Sequence, residues 1–127
     1  MRLFVVRHAE AAPGDPDAMR PLTTDGRGVA RAVGEQLARE KPDAVLCSPL
    51  LRARETAAPI ARAAGVEPEA DERLAPGARA ADVREAVEGR GETVVVVGHQ
   101  PDCSEIVLEL AGREVKFEPG AVVEVEL

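Results

Sequence analysis

The chain has 127 residues, enough for one domain to bury a core and too few for two ordinary domains. Its 16 basic and 23 acidic residues give a formal net charge of −7, which argues against nucleic acid or an anionic membrane as the main partner. Phe4 and Phe117 are the only Phe, Tyr or Trp residues, which excludes a base-stacking platform or an aromatic cage. We therefore expect a single domain over residues 1–127, with its functional residues in one site.

The cysteines and the N-terminal segment indicate a reducing compartment. Cys47 lies in an apolar run and Cys103 lies near a predicted helix start, without CxxC spacing, so two buried thiols are favoured over a disulfide. The apolar run that opens the chain stops at Arg7, too early for a signal-peptide core, and no run approaches the roughly 20 apolar residues of a membrane span. The sequence predicts a cytoplasmic protein that binds neither nucleic acid nor membrane.

Three short apolar runs are predicted to form buried strands, at residues 3–6, 44–47 and 93–97. They are rich in valine and lack polar alternation, which is typical of parallel strands that are covered on both faces. Two irregular stretches, at 11–24 and 67–79, are rich in proline, glycine and acidic residues. Because loops of this length are uncommon in so small a domain, we expect them to carry function.

The first helical pattern covers residues 26–39. Val29 and two later apolar residues recur there at four-residue spacing, and Thr24 or Asp25 is available as the N-cap. This segment lies between the first two predicted strands, an order typical of α/β proteins.

Three further segments are predicted to be helical, at residues 50–64, 80–88 and 101–110. Pro59 lies inside the first of them and cannot donate to the helix ladder, so a kink or break is expected just before it. The alternation of strands and helices predicts an α/β fold, a three-layer α/β/α sandwich around a mostly parallel sheet.

The C-terminal segment has a different pattern. Val115 and Phe117 alternate with charged residues, a Pro119–Gly120 turn follows, and residues 123–127 alternate again. This pattern predicts a hairpin with one solvated face, placed at one edge of the sheet.

Polar side chains follow each predicted strand, and in a parallel sheet these positions meet at the edge where ligands bind. Arg7 and His8 follow the first strand, and His99 follows the third. Ser48 follows the second strand, with Arg52 one helical turn later. A guanidinium group is permanently charged and offers planar donors that match phosphate oxygens. These residues predict a local anion pocket, suited to phosphate, in an otherwise acidic protein.

Three kinds of chemistry are open to such a pocket. A divalent metal site is disfavoured because fixed arginine charges oppose the ion and no Glu-x-x-His pairing is present. Ser48 is followed by proline rather than set in a G-x-S-x-G elbow, and Cys47 lies on the predicted strand, so neither is a favoured nucleophile. A neutral imidazole can attack phosphorus to give a covalent phosphohistidine, and histidine is therefore the favoured nucleophile.

Four motifs follow one another between the N-terminus and residue 100. They are Arg7-His8-Ala9, Arg20-x-Leu22-Thr23 followed by Gly26, Ser48-Pro49-Leu50-Leu51-Arg52-Ala53-x-x-Thr56-Ala57, and Val97-Gly98-His99. Together they resemble the histidine phosphatase superfamily, also called the phosphoglycerate mutase-like or Arg-His-Gly family. The short length and the absence of a large insertion resemble its SixA-type phosphohistidine phosphatases.

The resemblance implies a role for each pocket residue. His8 would be the nucleophile, with its other ring nitrogen held by a backbone carbonyl. Arg7, Arg52 and His99 would hold the phosphoryl oxygens, on which charge accumulates during transfer. His99 would do so as the imidazolium. The resemblance implies no metal and no cofactor.

Two departures from the family pattern bear on the site. Ala9 replaces the usual glycine, a strained substitution if the position requires positive φ. The general acid of larger members has its counterparts here in Glu72, with Asp71 beside it, or in Glu10 next to the nucleophile, and each also fits a solvated loop. Arg20 is interpreted as a brace for a loop carboxylate, with a contribution to the pocket as the alternative.

The resemblance implies a metal-independent phosphohydrolase that dephosphorylates phosphohistidine on a protein, such as a histidine-containing phosphotransfer domain. An open pocket, with no cap insertion, suits a protein surface better than a metabolite. The alternatives are a small-molecule phosphomonoesterase of the same fold, with mutase action the least favoured because it needs an enclosed intermediate, and a non-catalytic phosphate-recognition module.

Overall fold

The computed structural model describes residues 1–127, in which strands and helices alternate. In chain order the elements are β1 Arg2–Arg7, α1 Thr24–Ala38, β2 Ala44–Cys47, α2 Leu51–Ala64, β3 Pro68–Ala70, α3 Ala80–Val87, β4 Thr93–Gly98, α4 Asp102–Ala111 and β5 Val122–Glu126, with 3-10 turns at Asp17–Met19 and Glu72–Leu74. The five strands form one sheet in the order β3-β2-β4-β1-β5, and only β5 is antiparallel to its neighbour. The predicted α/β fold with a mostly parallel sheet is confirmed.

Successive side chains of a strand point to opposite faces, and both faces of this sheet are covered. Leu3 and Val5 belong to an apolar cluster with residues of α3 and α4, whereas Phe4 and Val6 belong to a cluster with residues of α1 and α2. This arrangement explains the unbroken valine-rich runs, because a strand that is covered on both sides has no polar face. The three layers follow from it.

Helix α1 begins earlier than the sequence pattern predicts. Its N-cap is Thr23 rather than Thr24 or Asp25, because the Thr23 hydroxyl accepts a hydrogen bond from the Gly26 N–H at 2.9 Å. Val29, predicted for the buried face, is 42% exposed. Small residues bring this helix close to α2, and its buried positions are Gly26, Ala30, Val33, Gly34 and Leu37.

Of the kink or break expected just before Pro59, the break is wrong, because α2 runs through this residue without interruption. Proline removes one backbone hydrogen bond, but the residues after it, Ile60 and Ala61, are fully buried against the sheet and α1. The packing is tight at this point, since a Cβ on Gly34 of α1 would lie 2.8 Å from the Pro59 carbonyl oxygen. Burial along α2 therefore outweighs the missing hydrogen bond.

The predicted C-terminal hairpin is half right. Its second arm is β5, which pairs with β1 at the edge of the sheet, but no strand forms at Val115 or Phe117. Two backbone carbonyls that would pair with a neighbouring strand accept hydrogen bonds from side chains instead. Ser104 Oγ donates to the Val115 carbonyl at 2.7 Å, and Arg7 Nη1 donates to the Phe117 carbonyl at 2.9 Å. The Phe117 ring is buried in the core, which pulls this segment away from the strand direction.

The irregular stretch 67–79 contains two short elements that the sequence pattern does not indicate, namely β3 and the 3-10 turn at Glu72–Leu74. Strand β3 pairs in parallel with β2 at the other edge of the sheet, and all three of its residues are exposed. A three-residue exposed strand has neither a buried run nor a repeating pattern, so periodicity cannot reveal it.

Both cysteines are buried and unpaired, as predicted. Burial raises the pKa of Cys47 to about 11 and that of Cys103 to about 12, so both thiols stay protonated and unreactive near neutral pH. None of the four α-helices combines the length and the hydropathy that a membrane crossing requires.

Candidate active site

The carboxyl ends of β1, β2 and β4 open into one cavity of about 400 Å³. Its walls are polar and carry three arginines, two imidazoles and one carboxylate; the lining residues are Arg7, His8, Glu10, Ala11, Arg20, Arg52, Pro76, His99, Gln100 and Pro119. An apolar cavity beside it measures about 10 Å³, too small for a substrate group. The structure brings both histidines, Arg7 and Arg52 together at this edge, as the sequence predicts.

His8 directly follows β1, and its backbone N–H donates to the Gly98 carbonyl at 3.0 Å. Its Nδ1 lies 2.7 Å from the Ala9 carbonyl oxygen. Because a carbonyl can only accept, Nδ1 carries the ring proton and Nε2 keeps a free electron pair. Burial lowers the pKa of His8 below 6.5, and the positive charges of Arg52 and Arg7 lower it further. His8 is therefore a neutral imidazole with one nitrogen free to attack.

Ala9, which replaces the family's usual glycine, carries no backbone strain. Lys41 is the only residue other than glycine at positive φ. The Ala9 N–H donates to Thr56 Oγ1 at 3.0 Å, and Ala9 is fully buried. An alanine thus fits this position, and its carbonyl oxygen points to His8 Nδ1.

Arg7 is held at the wall of the cavity by one of its nitrogens. Nη1 donates to the Phe117 carbonyl at 2.9 Å, which anchors the guanidinium to the C-terminal segment. Nε is buried and has no acceptor within the protein. Nη2 makes no hydrogen bond within the protein and is not sealed in as Nε is, so this nitrogen of a cavity-lining arginine is available to a bound anion.

Arg52, the second residue of α2, is 8% exposed and contacts a residue that the sequence did not single out. Its Nη1 donates to the Asp17 carbonyl at 2.9 Å, and its Nη2 donates to Asp17 Oδ2 at 3.2 Å. Arg20 reaches the other carboxylate oxygen of Asp17 at 3.4 Å and donates from Nε to the Ala12 carbonyl at 3.0 Å. Asp17 thus lies between two arginines of the cavity, and its pKa is lowered chiefly by the Arg52 hydrogen bond.

Both roles considered for Arg20 are present in this geometry, because it braces the loop and also lines the cavity. Asp17 was not recognisable from the sequence as a partner of Arg52. The two residues are far apart along the chain, and the acidic loop that carries Asp17 contains several equivalent carboxylates. The one available signal was the length of that loop.

His99 follows β4 and is 5% exposed. Its Nε2 lies 2.7 Å from Ser48 Oγ, and its ring centroid is 5.3 Å from that of His8. Burial lowers the pKa of His99 to about 4, and the neighbouring His8 and Arg52 lower it as well. Burial thus favours a neutral His99 ring in the unliganded protein, and the imidazolium expected with a phosphoryl group bound stays a prediction.

The two carboxylates considered as the general acid occupy different places. Glu10 lines the cavity, and its Oε1 accepts a hydrogen bond from the Thr23 hydroxyl at 2.8 Å. Glu72 is exposed on its 3-10 turn and is not part of the cavity wall, and the carboxylate of Asp71 binds Arg73. Of the candidates, only Glu10 stands beside the nucleophile.

No group of three or more His, Cys, Asp or Glu side chains is close enough to hold a metal ion. The donors at the cavity are instead arginine and imidazole N–H groups, which complement an oxyanion rather than a cation. The arrangement can bind a phosphoryl group and present it to the free Nε2 of His8.

Comparison with known proteins identifies the family. The profile of the Histidine phosphatase superfamily (branch 1) matches residues 3–76. An uncharacterized protein of Picosynechococcus sp. is 37% identical over 115 residues, which cover 83% of this chain and 70% of that protein.

Two solved structures are similar over almost the whole chain. The protein histidine phosphatase SixA complexed with tungstate has a TM-score of 0.88 and 29% identity, covering 100% of this chain and 88% of the other. The putative phosphohistidine phosphatase SixA from Agrobacterium tumefaciens has a TM-score of 0.82 and 25% identity, covering 97% of this chain and 89% of the other.

Proposed function

Because this chain belongs to the histidine phosphatase superfamily, branch 1, we propose that it is a metal-independent phosphohydrolase that acts through a covalent phosphohistidine on His8. One observation carries the proposal. His8 donates its Nδ1 proton to a backbone carbonyl and so keeps Nε2 free in a cavity whose other walls carry Arg7, Arg52 and His99. A nucleophile and three anion-binding groups at one cavity are what phosphoryl transfer requires.

The reaction proceeds in two displacements. In the first, His8 Nε2 attacks phosphorus, the bond from phosphorus to the leaving group breaks, and the leaving group receives a proton. In the second, water attacks the phosphorus of phospho-His8, the N–P bond breaks, and inorganic phosphate leaves with the imidazole restored to its neutral form. Arg7, Arg52 and His99 bind the phosphoryl oxygens and stabilise the charge that develops on them.

Glu10 is the proposed source of the leaving-group proton, and its carboxylate takes a proton back from the attacking water in the second displacement. It lines the cavity beside the nucleophile, whereas Glu72 does not. Replacing Glu10 with glutamine should slow hydrolysis of an aryl or alkyl phosphate more than the same change at Glu72. A phosphoramidate nitrogen is basic enough to take its proton early, so the effect should be smaller on a phosphohistidine substrate.

The proposed substrate is phosphohistidine on a protein, such as a histidine-containing phosphotransfer domain. The similarity to SixA, described as a protein histidine phosphatase, supports this choice. The shape of the site supports it too, because the cavity is bordered by loops rather than by an inserted domain, which leaves its mouth open to an imidazole on a protein surface. The alternative within the same chemistry is a small-molecule phosphomonoesterase.

A substrate panel tests this assignment. The purified chain is offered a phosphorylated histidine-containing phosphotransfer domain and, at equal concentration, sugar and glycerate phosphates, with phosphate release measured in the presence of a chelator. We expect kcat/KM for the phosphoprotein to exceed that for every ester by about tenfold or more, and His8→Ala to release nothing.

Preference for an ester would contradict the protein substrate and favour a metabolite phosphatase. Phosphate binding without turnover on any substrate would favour a recognition module. Loss of activity with chelator, restored by a divalent ion, would contradict the metal-independent mechanism.

A further inference from the structure

Ser48 is a fully buried hydroxyl at the edge of the cavity to which the two displacements assign no role. It follows β2 directly, and its backbone N–H donates to the Val97 carbonyl at 3.0 Å, which ties it to β4. Its Oγ has two neighbours, the Leu50 N–H at 3.2 Å and His99 Nε2 at 2.7 Å.

The hydroxyl proton of Ser48 has one possible acceptor. The Leu50 N–H can only donate, so it uses a lone pair of Oγ, and Oγ makes no hydrogen bond to a carbonyl or carboxylate. A buried hydroxyl almost always donates to a partner. The Ser48 O–H must therefore point to His99 Nε2, which has to be unprotonated to accept it.

The ring proton of neutral His99 consequently resides on Nδ1. That nitrogen makes no hydrogen bond within the protein. It is nevertheless accessible, because Arg7 Nε is the only side-chain nitrogen or oxygen that is both buried and without a partner. His99 lines the cavity, so its Nδ1–H is available to a ligand there.

We propose that Ser48 is a positioning residue that holds His99 in the Nδ1–H tautomer, so that His99 offers a neutral N–H donor to the phosphoryl group. The proposal rests on the proposed function for its catalytic consequence. The two histidines are thereby separated in role: a backbone carbonyl leaves His8 with a bare Nε2 for attack, whereas Ser48 occupies Nε2 of His99 and prevents it from acting as a second nucleophile.

The surroundings of His99 are consistent with a neutral ring. His8 from the end of β1 and Arg52 from α2 lower its pKa, while Asp17 from the loop before α1 raises it, and burial lowers it most. Protonation of Nε2 would also force the Ser48 hydroxyl to rotate away from its only acceptor. Removing that hydroxyl should therefore raise the pKa of His99.

Nitrogen-detected NMR of the imidazole rings tests the tautomer directly, because the chain has only two histidines to assign. At pH 7 we expect both rings of the wild-type protein to be protonated on Nδ1, with Nε2 unprotonated. Titration with inorganic phosphate should move the His99 Nδ1–H signal. A wild-type His99 that is protonated on Nε2, or on both nitrogens, would overturn the proposal without any variant or substrate.

The variant Ser48→Ala adds the functional readout. We expect His99 to become a mixture of tautomers with a higher pKa, His8 to keep its tautomer, and kcat/KM to fall about tenfold, which corresponds to the loss of about one hydrogen bond. Ser104→Ala is the control, since Ser104 is the only other serine and its hydroxyl donates to Val115 rather than to a histidine; it should leave the His99 spectrum unchanged. An unchanged His99 tautomer and pKa in Ser48→Ala would contradict the role of Ser48, even if the chain hydrolyses none of the substrates tried.

Discussion

The contact between α1 and α2 makes two glycines of one helix respond in opposite ways to the same substitution. Gly34 faces α2, where an added Cβ would lie 2.8 Å from the Pro59 carbonyl oxygen, 3.0 Å from its carbon and 3.2 Å from the Ile60 nitrogen. All three are backbone atoms, which cannot swing aside as a side chain could. An added Cβ on Gly28 meets only the tip of the Arg31 side chain, at 3.9 Å.

The magnitudes follow from two opposing effects. Alanine is favoured over glycine in a helix by about 1 kcal/mol, and this gain applies at both positions. Overpacking of a tight interface costs about 1–3 kcal/mol, and the upper half of that range applies at Gly34 because backbone must move. We therefore expect Gly28→Ala to raise the free energy of unfolding by about 0.5–1 kcal/mol and Gly34→Ala to lower it by about 1–2 kcal/mol.

Urea denaturation followed by circular dichroism measures both changes, with the slope of the transition checked for constancy. Thermal melts should shift by roughly 3–5 °C per kcal/mol in a domain of this size. If Gly34→Ala proved as stabilising as Gly28→Ala, the close approach of the two helices would be refuted. Tight packing against α1 would then no longer explain why α2 continues through Pro59.

Three predictions concern the cavity. The pH profile of kcat/KM should rise with pH through the pKa of His8, since only the neutral ring attacks, and because burial lowers that pKa the midpoint should lie below 6.5; a midpoint at or above 6.5 would contradict this environment. Arg52→Lys should lower kcat about 100-fold, because an ammonium group cannot bind Asp17 through two nitrogens and a phosphoryl oxygen at once, and an activity near that of the wild type would contradict the role of Arg52. Asp17→Asn removes a negative charge between two arginines while it keeps the carbonyl contact, so inorganic phosphate should inhibit about threefold more strongly, and weaker inhibition would show that the carboxylate mainly positions Arg52.

The location of the site could be predicted from the sequence because two simple rules combine. Unbroken apolar runs mark parallel strands, and the residues after such strands meet at one edge of the sheet. Arg7 is the last residue of β1, His8 and His99 directly follow their strands, and Arg52 lies within the first turn of α2. No knowledge of side-chain packing was needed to bring these four residues to one cavity.

The finer features depend on contacts between distant parts of the chain. The pairing of Asp17 with Arg52 joins a loop to a helix, and the link from Ser48 to His99 joins the ends of two strands. Neither has a local signature, because any carboxylate of the loop or any nearby hydroxyl would look the same in sequence. The failure of the predicted break at Pro59 has the same origin, since it is the burial of α2 that keeps the helix continuous.

The covalent intermediate on His8 is the claim on which the mechanism depends, and one measurement tests it most directly. Brief exposure of the chain to a labelled phosphodonor, followed by rapid denaturation, should trap label on the protein. We predict one label per chain that is lost in acid, survives base, as an N–P bond does, and is absent from His8→Ala. A label that persists in His8→Ala, or that survives acid as a phosphate ester does, would contradict a mechanism through phospho-His8.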